Sequence, residues 1–395
     1  MILFGLPSFF ITINPADYLH PVVLHFAGVK VNLDKPFEGI WPTKTERSKF
    51  VASDPVAAAK FFHHTVQAWL DHVLRPVDEH KQPLPGMAGV ASAYYGTVET
   101  QGRGSLHLHM LVWIKGALTP DELQAKLLND TTFSEKFLDH LSSIVSEQFP
   151  DGQVPVPTLP SASIASSSSA SDSSKGDQSV CSARPTHPES PNFDVNFADD
   201  LKQIVTACNV HKHTATCYKY GHKDCRFSFE RPAIEVAYIK DGVIFLQRKA
   251  GNGWVNNYSE VISYLLRCNN DVKFISNGKD SKALSFYITD YITKKAMTTH
   301  NAFPLIIAAQ QDIEKGFTSA IPNPLFNETQ QQNRDLLVKC LNKLTTHSER
   351  SGPECASLLL DYKLCYKSHK FTKVLNERER INSCFDQFYH LNYNL

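Results

Sequence analysis

The sequence lacks several features that would assign it to a common class of protein. It has no apolar run near the ~20 residues that a membrane helix needs. Its first residues lack the basic stretch and the small-residue cleavage site of a secretory signal. Net charge is absent too, because 40 Lys and Arg residues balance 40 Asp and Glu residues. We therefore expect an intracellular protein, nuclear if its source is eukaryotic, with no membrane partner.

The sequence also has little that indicates disulfides. Its nine cysteines are an odd number at irregular spacing, which favours reduced thiols, some of them on metal, over a disulfide framework. Hydrophobic residues make up 42% of the 395 positions, enough for a folded core. One segment departs from this composition, since residues 161–190 contain 12 serines, a pattern typical of a flexible linker.

The linker and the hydrophobic periodicity predict an α+β fold, an antiparallel sheet flanked by helices. Residues 1–150 and 193–300 would form the two halves of one domain, and residues 151–192 the linker between them. A Cys/His-rich insertion would interrupt the second half, and residues 301–395 would be a helical C-terminal extension. The strands we expect are short and partly arranged as hairpins: residues 9–14, 91–99, 106–114, 234–239, 243–247 and 271–275.

Two histidines alternate with apolar residues on the second arm of the first predicted hairpin. On a strand, His107 and His109 point to one face and their apolar neighbours to the other. Glu99 on the first arm could reach the same face, with Gln101 as a second oxygen donor. Such a ligand set leaves coordination positions open, which suits a catalytic Mg²⁺ or Mn²⁺ that contacts phosphate. The alternative is a pair of surface histidines, because chance alone produces roughly one His-x-His pair in such a chain.

A second group of potential metal ligands lies in a basic part of the chain. Residues 201–300 contain 15 Lys and Arg against 8 Asp and Glu, a surplus that suits a polyanionic partner but is also common on ordinary protein surfaces. Within it, three thiols and two imidazoles have the ligand types of a structural Zn²⁺, at spacings that match no standard zinc finger. The alternative is a loop of free thiols whose cations contact phosphate. The five candidate ligands are Cys208, His211, His213, Cys217 and Cys225.

A third pattern is a near-duplicated tetrapeptide in a helix predicted at residues 281–297. It places Tyr287 and Tyr291 four residues apart on one helix face, with Lys294 on much the same side. Two phenols and an ammonium group would then line up. The alternative is an apolar stripe in which both tyrosines belong to the core.

In this order, the three patterns resemble the Rep domain of Helitron rolling-circle transposases, members of the HUH endonuclease superfamily. The resemblance runs from about residue 4 to about residue 300. Glu230 departs from it, because the family pattern usually has proline there. The motifs that carry the resemblance are Phe10 to Asp17, Glu99-x-Gln101-x-Arg103-Gly104-x-x-His107-x-His109, Cys208 to Arg231, Arg267 to Phe274, and Tyr287 to Lys294.

The resemblance implies a metal-dependent endonuclease that nicks single-stranded DNA or melted transposon ends and transfers the strand. Mg²⁺ or Mn²⁺ would be held by the two histidines with Glu99 or Gln101. One tyrosine would attack the phosphate and leave a 5′-phosphotyrosine, while the second would permit strand transfer and Lys294 would stabilise charge. The residues expected to contact DNA are Arg103, Lys212, Arg226 and Lys295.

The family joins a helicase to this domain, but residues 301–395 contain no Gly-x-x-x-x-Gly-Lys-Ser/Thr loop. We therefore expect a truncated element copy whose helicase is supplied in trans. Two other functions fit parts of the sequence. One is a catalytically inactive DNA-binding remnant. The other is a metallohydrolase in which His107 and His109 activate water, a reading that gives the paired tyrosines no role.

Overall fold

The fold was examined in a computed structural model of the chain. The structure describes residues 5–15, 17, 20–32, 42–76, 84–100, 104–152, 184–240, 243–276, 299–315, 327–346 and 350–370.

A five-stranded antiparallel sheet forms the centre of the described structure. Its strands lie in the order β6-β1-β3-β2-β7, and β4 pairs with β5 in a separate small hairpin. The fold is therefore α+β, as expected. The strands are β1 (Phe9–Asn14), β2 (Ala91–Thr100), β3 (Leu106–Ile114), β4 (Tyr238–Lys240), β5 (Val243–Phe245), β6 (Asn269–Phe274) and β7 (Cys365–Lys367).

The helices begin where the sequence supplies capping groups. The Asp54 carboxylate accepts a hydrogen bond from the Ala57 N–H at the start of α3, and Thr119 forms a capping box with Glu122 at the start of α4. A π-helix, Trp69–Leu74, extends α3. The helices are α1 (Pro21–Phe26), α2 (Lys44–Ser53), α3 (Pro55–Ala68), α4 (Pro120–Asn129), α5 (Thr131–Ile144), α6 (Phe193–Cys208), α7 (Glu260–Leu266), α8 (Thr299–Glu314), α9 (Glu328–Thr346) and α10 (Gly352–Leu359).

The main core lies on one face of the sheet. Alternate residues of β3, namely Leu106, Leu108 and Met110, are buried there against α3 and its π-helical extension. The intervening residues of β3 are buried as well, on the opposite face. Because both faces of β3 are covered, its sequence is apolar almost throughout, and the two histidines are the exceptions.

The C-terminal part of the chain does not match the prediction of a purely helical extension. Strand β7 pairs with β2, and the carbonyl of Leu364 accepts a hydrogen bond from the Val98 N–H at 3.0 Å. Helix α10 packs on α3. Tyr366 belongs to the main core and is 2% exposed. A strand of three residues carries too weak a period-2 pattern to be recognised, so the sequence could not reveal this fifth strand.

None of the helices in the ranges given above is long and apolar enough to cross a membrane.

Candidate functional site

The predicted hairpin brings two imidazoles and a carboxylate together at one end of the sheet. Glu99 on β2 stands opposite His107 on β3. One carboxylate oxygen of Glu99, Oε2, lies 3.0 Å from Nε2 of His107 and 3.2 Å from Nε2 of His109. Both histidines are almost fully buried, at 4% and 5% exposure. The side chains therefore converge on one point, as strand alternation predicts.

The surroundings of His109 fix its ring. The Thr12 hydroxyl on β1 lies 3.0 Å from Nδ1, and the Phe10 ring stacks on the imidazole at a centroid distance of 5.8 Å. Burial lowers the pKa of His109, and the neighbouring His107 lowers it further, while the hydrogen bond to Glu99 opposes the shift. The imidazole therefore favours its neutral form, which is the form that binds metal ions.

The three side chains fit a small divalent cation. Their ligand atoms all lie within 4.8 Å of one another. An octahedral ion with bonds of ~2.1 Å places neighbouring ligands ~3.0 Å apart, close to the observed separations between Glu99 and the two histidines. Nδ1 of His107 is buried and has no hydrogen-bond partner among the described residues, so Nε2 alone faces the other ligands.

The Cys/His-rich segment forms a second cluster, held by four of its five predicted ligands. The potential ligand atoms of His211, His213, Cys217 and Cys225 lie within 4.8 Å of one another. Nε2 of His211 is 3.4 Å from Sγ of Cys217 and 3.5 Å from Sγ of Cys225. Tetrahedral zinc with Zn–S and Zn–N bonds of ~2.3 and ~2.1 Å spaces such atoms ~3.5 Å apart. The donor set and its spacing therefore fit Zn²⁺.

Cys208 is not part of this four-residue cluster. It ends α6, whereas the cluster ligands lie in the loop that follows and in the 3₁₀ turn Ala215–Gly221. Four donors are enough for a tetrahedral site, and a metal-binding role for Cys208 stays a prediction.

The surroundings of Cys225 and His211 lower the pKa of both side chains. Burial raises the pKa of the Cys225 thiol, but N–H groups of Phe229 and Phe227 hydrogen-bond its sulfur and hold the net pKa below its usual value. Burial lowers the pKa of His211, and His213 and Arg231 lower it further. Both shifts favour the states that bind metal, the thiolate and the neutral imidazole.

The loop that carries this cluster is exposed and basic. Residues 208–231 contain five Lys and Arg against two Asp and Glu. Lys212 and Arg226 are exposed, and the Arg226 guanidinium lies 4.5 Å from the centroid of the Phe227 ring, which is 43% exposed. Tyr258, by contrast, is fully buried and belongs to a small core, so it offers no surface for stacking on bases.

Several predicted site residues lie outside the described residues, so their positions relative to the histidines stay predictions. They are Gln101, Arg103, Tyr287, Tyr291, Lys294 and Lys295.

The sequence reading missed two polar residues beside the site. Thr12 pairs with His109 on one side and with Asp271 on the other. Both residues lie within motifs that carry the Helitron resemblance, but the sequence alone predicts no role for either. Their relation to His109 depends on strand order, because β1 lies between β3 and β6 in the sheet.

Part of the chain matches a known family. Residues 1–112 match a family described as the Helitron helicase-like domain at the N-terminus. The predicted resemblance is therefore confirmed over these residues, which include Glu99, His107 and His109. The match ends before the Cys/His cluster and the paired tyrosines. No curated protein matches the chain.

Proposed function

We propose, from the Helitron helicase-like match of residues 1–112, that this protein nicks single-stranded DNA and transfers the strand through a phosphotyrosine. The observation that carries the proposal is the meeting of Glu99 with both His107 and His109 at one carboxylate oxygen. Two buried histidines and a partly exposed carboxylate, with coordination positions left open, suit a metal ion that also contacts a substrate. A closed structural site would use all four positions for protein ligands.

His107, His109 and Glu99 would hold Mg²⁺ or Mn²⁺. When bound, the ion would supply Lewis-acid chemistry, polarising the scissile phosphate. The protein itself holds the three ligands in position. The two imidazoles come from β3, the carboxylate comes from β2, and the hydrogen bonds between these strands hold the three groups in register.

The nucleophile of the proposal is Tyr287 or Tyr291. A phenol has a reference pKa near ~10, so it must lose its proton to attack phosphate well. Attack at phosphorus would form the tyrosyl–phosphate bond and break the bond to the 3′ oxygen, which leaves as a free 3′-hydroxyl after taking up a proton. The second tyrosine would then accept the other strand, and Lys294 would balance negative charge.

The topology of the sheet supports this assignment. Strand β6 lies two strands from β3, and the described part of the chain continues to Ser276, beyond its end. Ten residues lie between Ser276 and Tyr287, and the eleven steps from one to the other reach up to ~36 Å when fully extended. Neighbouring strands lie ~4.8 Å apart, so this length of chain exceeds the ~10 Å that separates β6 from β3.

A covalent-adduct assay tests the proposal. The purified full chain is incubated with labelled single-stranded DNA and Mn²⁺ and run on denaturing gels. We expect an adduct that is lost in the Tyr287→Phe/Tyr291→Phe double variant and in His107→Ala. Tyr238→Phe, which changes an exposed tyrosine of β4, is the matched control and should keep the adduct.

The other outcomes separate the rival functions. An adduct that survives the double variant would exclude the tyrosines as nucleophiles. Cleaved DNA without any adduct would favour a metallohydrolase. DNA binding without cleavage in the presence of either metal would favour an inactive remnant.

We also propose that the Cys/His cluster holds a structural Zn²⁺ that shapes a DNA-binding loop. The cluster fixes the loop that presents Lys212 and Arg226, and exposed cations beside an exposed aromatic ring suit a single strand. Cys217→Ser should reduce the zinc content of the purified protein, whereas Cys355→Ser, at an exposed cysteine, should not. Zinc content unchanged in Cys217→Ser would refute this assignment.

The contribution of the loop to DNA binding is measured separately. Arg226→Ala should weaken single-stranded DNA binding and reduce the dependence of affinity on salt, because one phosphate contact is lost. An unchanged affinity and salt dependence would remove Arg226 from the DNA interface.

A further inference from the structure

A row of polar side chains crosses the sheet at the level of His109. Thr12 on β1 pairs with His109 on one side and with Asp271 on β6 on the other. Thr97 on β2 pairs with His109 from the opposite side. Directly paired residues of antiparallel strands project to the same face. Asp271, Thr12, His109 and Thr97 therefore share one face of the sheet.

The contact between the Thr12 hydroxyl and Nδ1 of His109 would be the first link of a hydrogen-bonded relay that runs from His109 through Thr12 to a further acceptor. If Nε2 of His109 binds a cation, its proton must reside on Nδ1. Nδ1–H then donates to the Thr12 hydroxyl oxygen, 3.0 Å away. The Thr12 hydroxyl is left with its own proton to donate, and it needs an acceptor on the side away from His109.

Asp271 provides an acceptor on that side. Its Oδ1 atom is buried and makes no hydrogen bond within the described part of the chain, while Oδ2 lies 3.3 Å from Nζ of Lys273. Paired side chains have Cβ atoms ~4.5–5.5 Å apart, so a rotation of the Asp271 side chain brings Oδ1 within reach of the Thr12 hydroxyl. A buried carboxylate oxygen without a donor is costly, and this contact would supply the donor.

We infer that Asp271 acts through Thr12 as an outer-shell positioning residue that orients His109 for the metal ion. This inference rests on the proposed function, because it requires a cation at His107, His109 and Glu99. Metal-bound histidines commonly donate their second N–H to such a partner, and loss of the partner typically weakens metal binding about 10- to 100-fold. His107 has no equivalent partner, since its Nδ1 is unpaired among the described residues.

The test measures Mn²⁺ affinity of the full chain by calorimetry and electron paramagnetic resonance, without DNA. Thr12→Val, which removes only the hydroxyl, should weaken binding about tenfold or more. Thr12→Ser should restore most of it. Thr97→Val is the matched control, because Thr97 flanks His109 on the same face, and its affinity should equal that of the unchanged protein.

A double-variant cycle separates a relay from a simple charge effect. Asp271→Ala should weaken binding, and Thr12→Val/Asp271→Ala should be no weaker than Thr12→Val alone, since Asp271 acts through Thr12. Additive losses would overturn the relay. The Nδ1–H tautomer of His109, read from ¹⁵N shifts of the metal-free protein, should become less populated in Thr12→Val, which lacks the hydroxyl oxygen that accepts from it.

The outcomes also distinguish this inference from the proposed function. If the unchanged protein binds Mn²⁺, His107→Ala abolishes binding and Thr12→Val binds normally, the relay is wrong and the metal site stands. If the unchanged protein binds no Mn²⁺, or His107→Ala binds as well as it does, the metal site and the relay fail together.

Discussion

The fifth strand offers a direct test of how the C-terminal segment supports the site. Tyr366 on β7 stands opposite Gly96 on β2, three residues before Glu99. Its ring is buried in the main core, and its hydroxyl lies 3.3 Å from Nδ1 of His63 on α3. A side chain at Gly96 would have to displace the end of Met110, since an added Cβ would lie 2.9 Å from its Cε. The tyrosine thus joins β2, β7 and α3.

The expected loss of stability follows from these contacts. Replacing a buried aromatic residue with alanine costs about 3–5 kcal/mol. Tyr366→Phe keeps the ring and removes one hydrogen bond, a loss of about 1 kcal/mol. The difference between the two variants therefore measures the packing of the ring. For a domain of 150–250 residues, each kcal/mol lowers the melting temperature by about 2–4 °C, so Tyr366→Ala should melt about 10 °C lower.

The assay is thermal and urea unfolding followed by circular dichroism, with Tyr238→Ala as the control. Tyr238 is 44% exposed on the small hairpin, so its loss should cost less than about 1 kcal/mol. Unfolding of Tyr366→Ala at the same temperature as the unchanged protein would refute the packing of β7 on the core. That result would also mean that residues 365–367 belong to a peripheral extension and not to the central sheet.

Two further predictions concern buried charge. Burial lowers the pKa of His20 from 6.5 to about 4, and the charge of Arg267 contributes a smaller part of the shift. His20 therefore binds a proton more readily in the unfolded chain than in the folded protein. The free energy of unfolding should therefore fall as pH drops from about 6.5 to 4, by up to about 1.4 kcal/mol per unit, and His20→Asn should flatten that dependence in urea titrations at several pH values. Glu147→Ala should cost about 3–5 kcal/mol because it leaves the buried Arg248 guanidinium without its carboxylate; Glu189→Ala, at an exposed carboxylate beside His187, should unfold like the unchanged protein.

Much of the sheet could be predicted from local patterns. The alternation along residues 106–110, followed by an apolar run to residue 114, predicts β3, the histidine face and the apolar face, because successive strand residues must point in opposite directions. The Asp54-Pro55 pair predicts the start of α3, because the carboxylate caps the helix and proline tolerates its first position. These features depend on neighbours in sequence, so one chain is enough to recognise them.

Local sequence patterns therefore specify which residues form the hairpin and which side chains share a face with His107 and His109. Strand order, by contrast, was decided only in the tertiary structure. Nothing local specifies that β1 lies between β3 and β6, or that residues 365–367 pair with β2. Those neighbours are chosen by burial of distant apolar surfaces against one core, and they place Thr12 and Asp271 beside His109 and Tyr366 beneath the strand that carries Glu99.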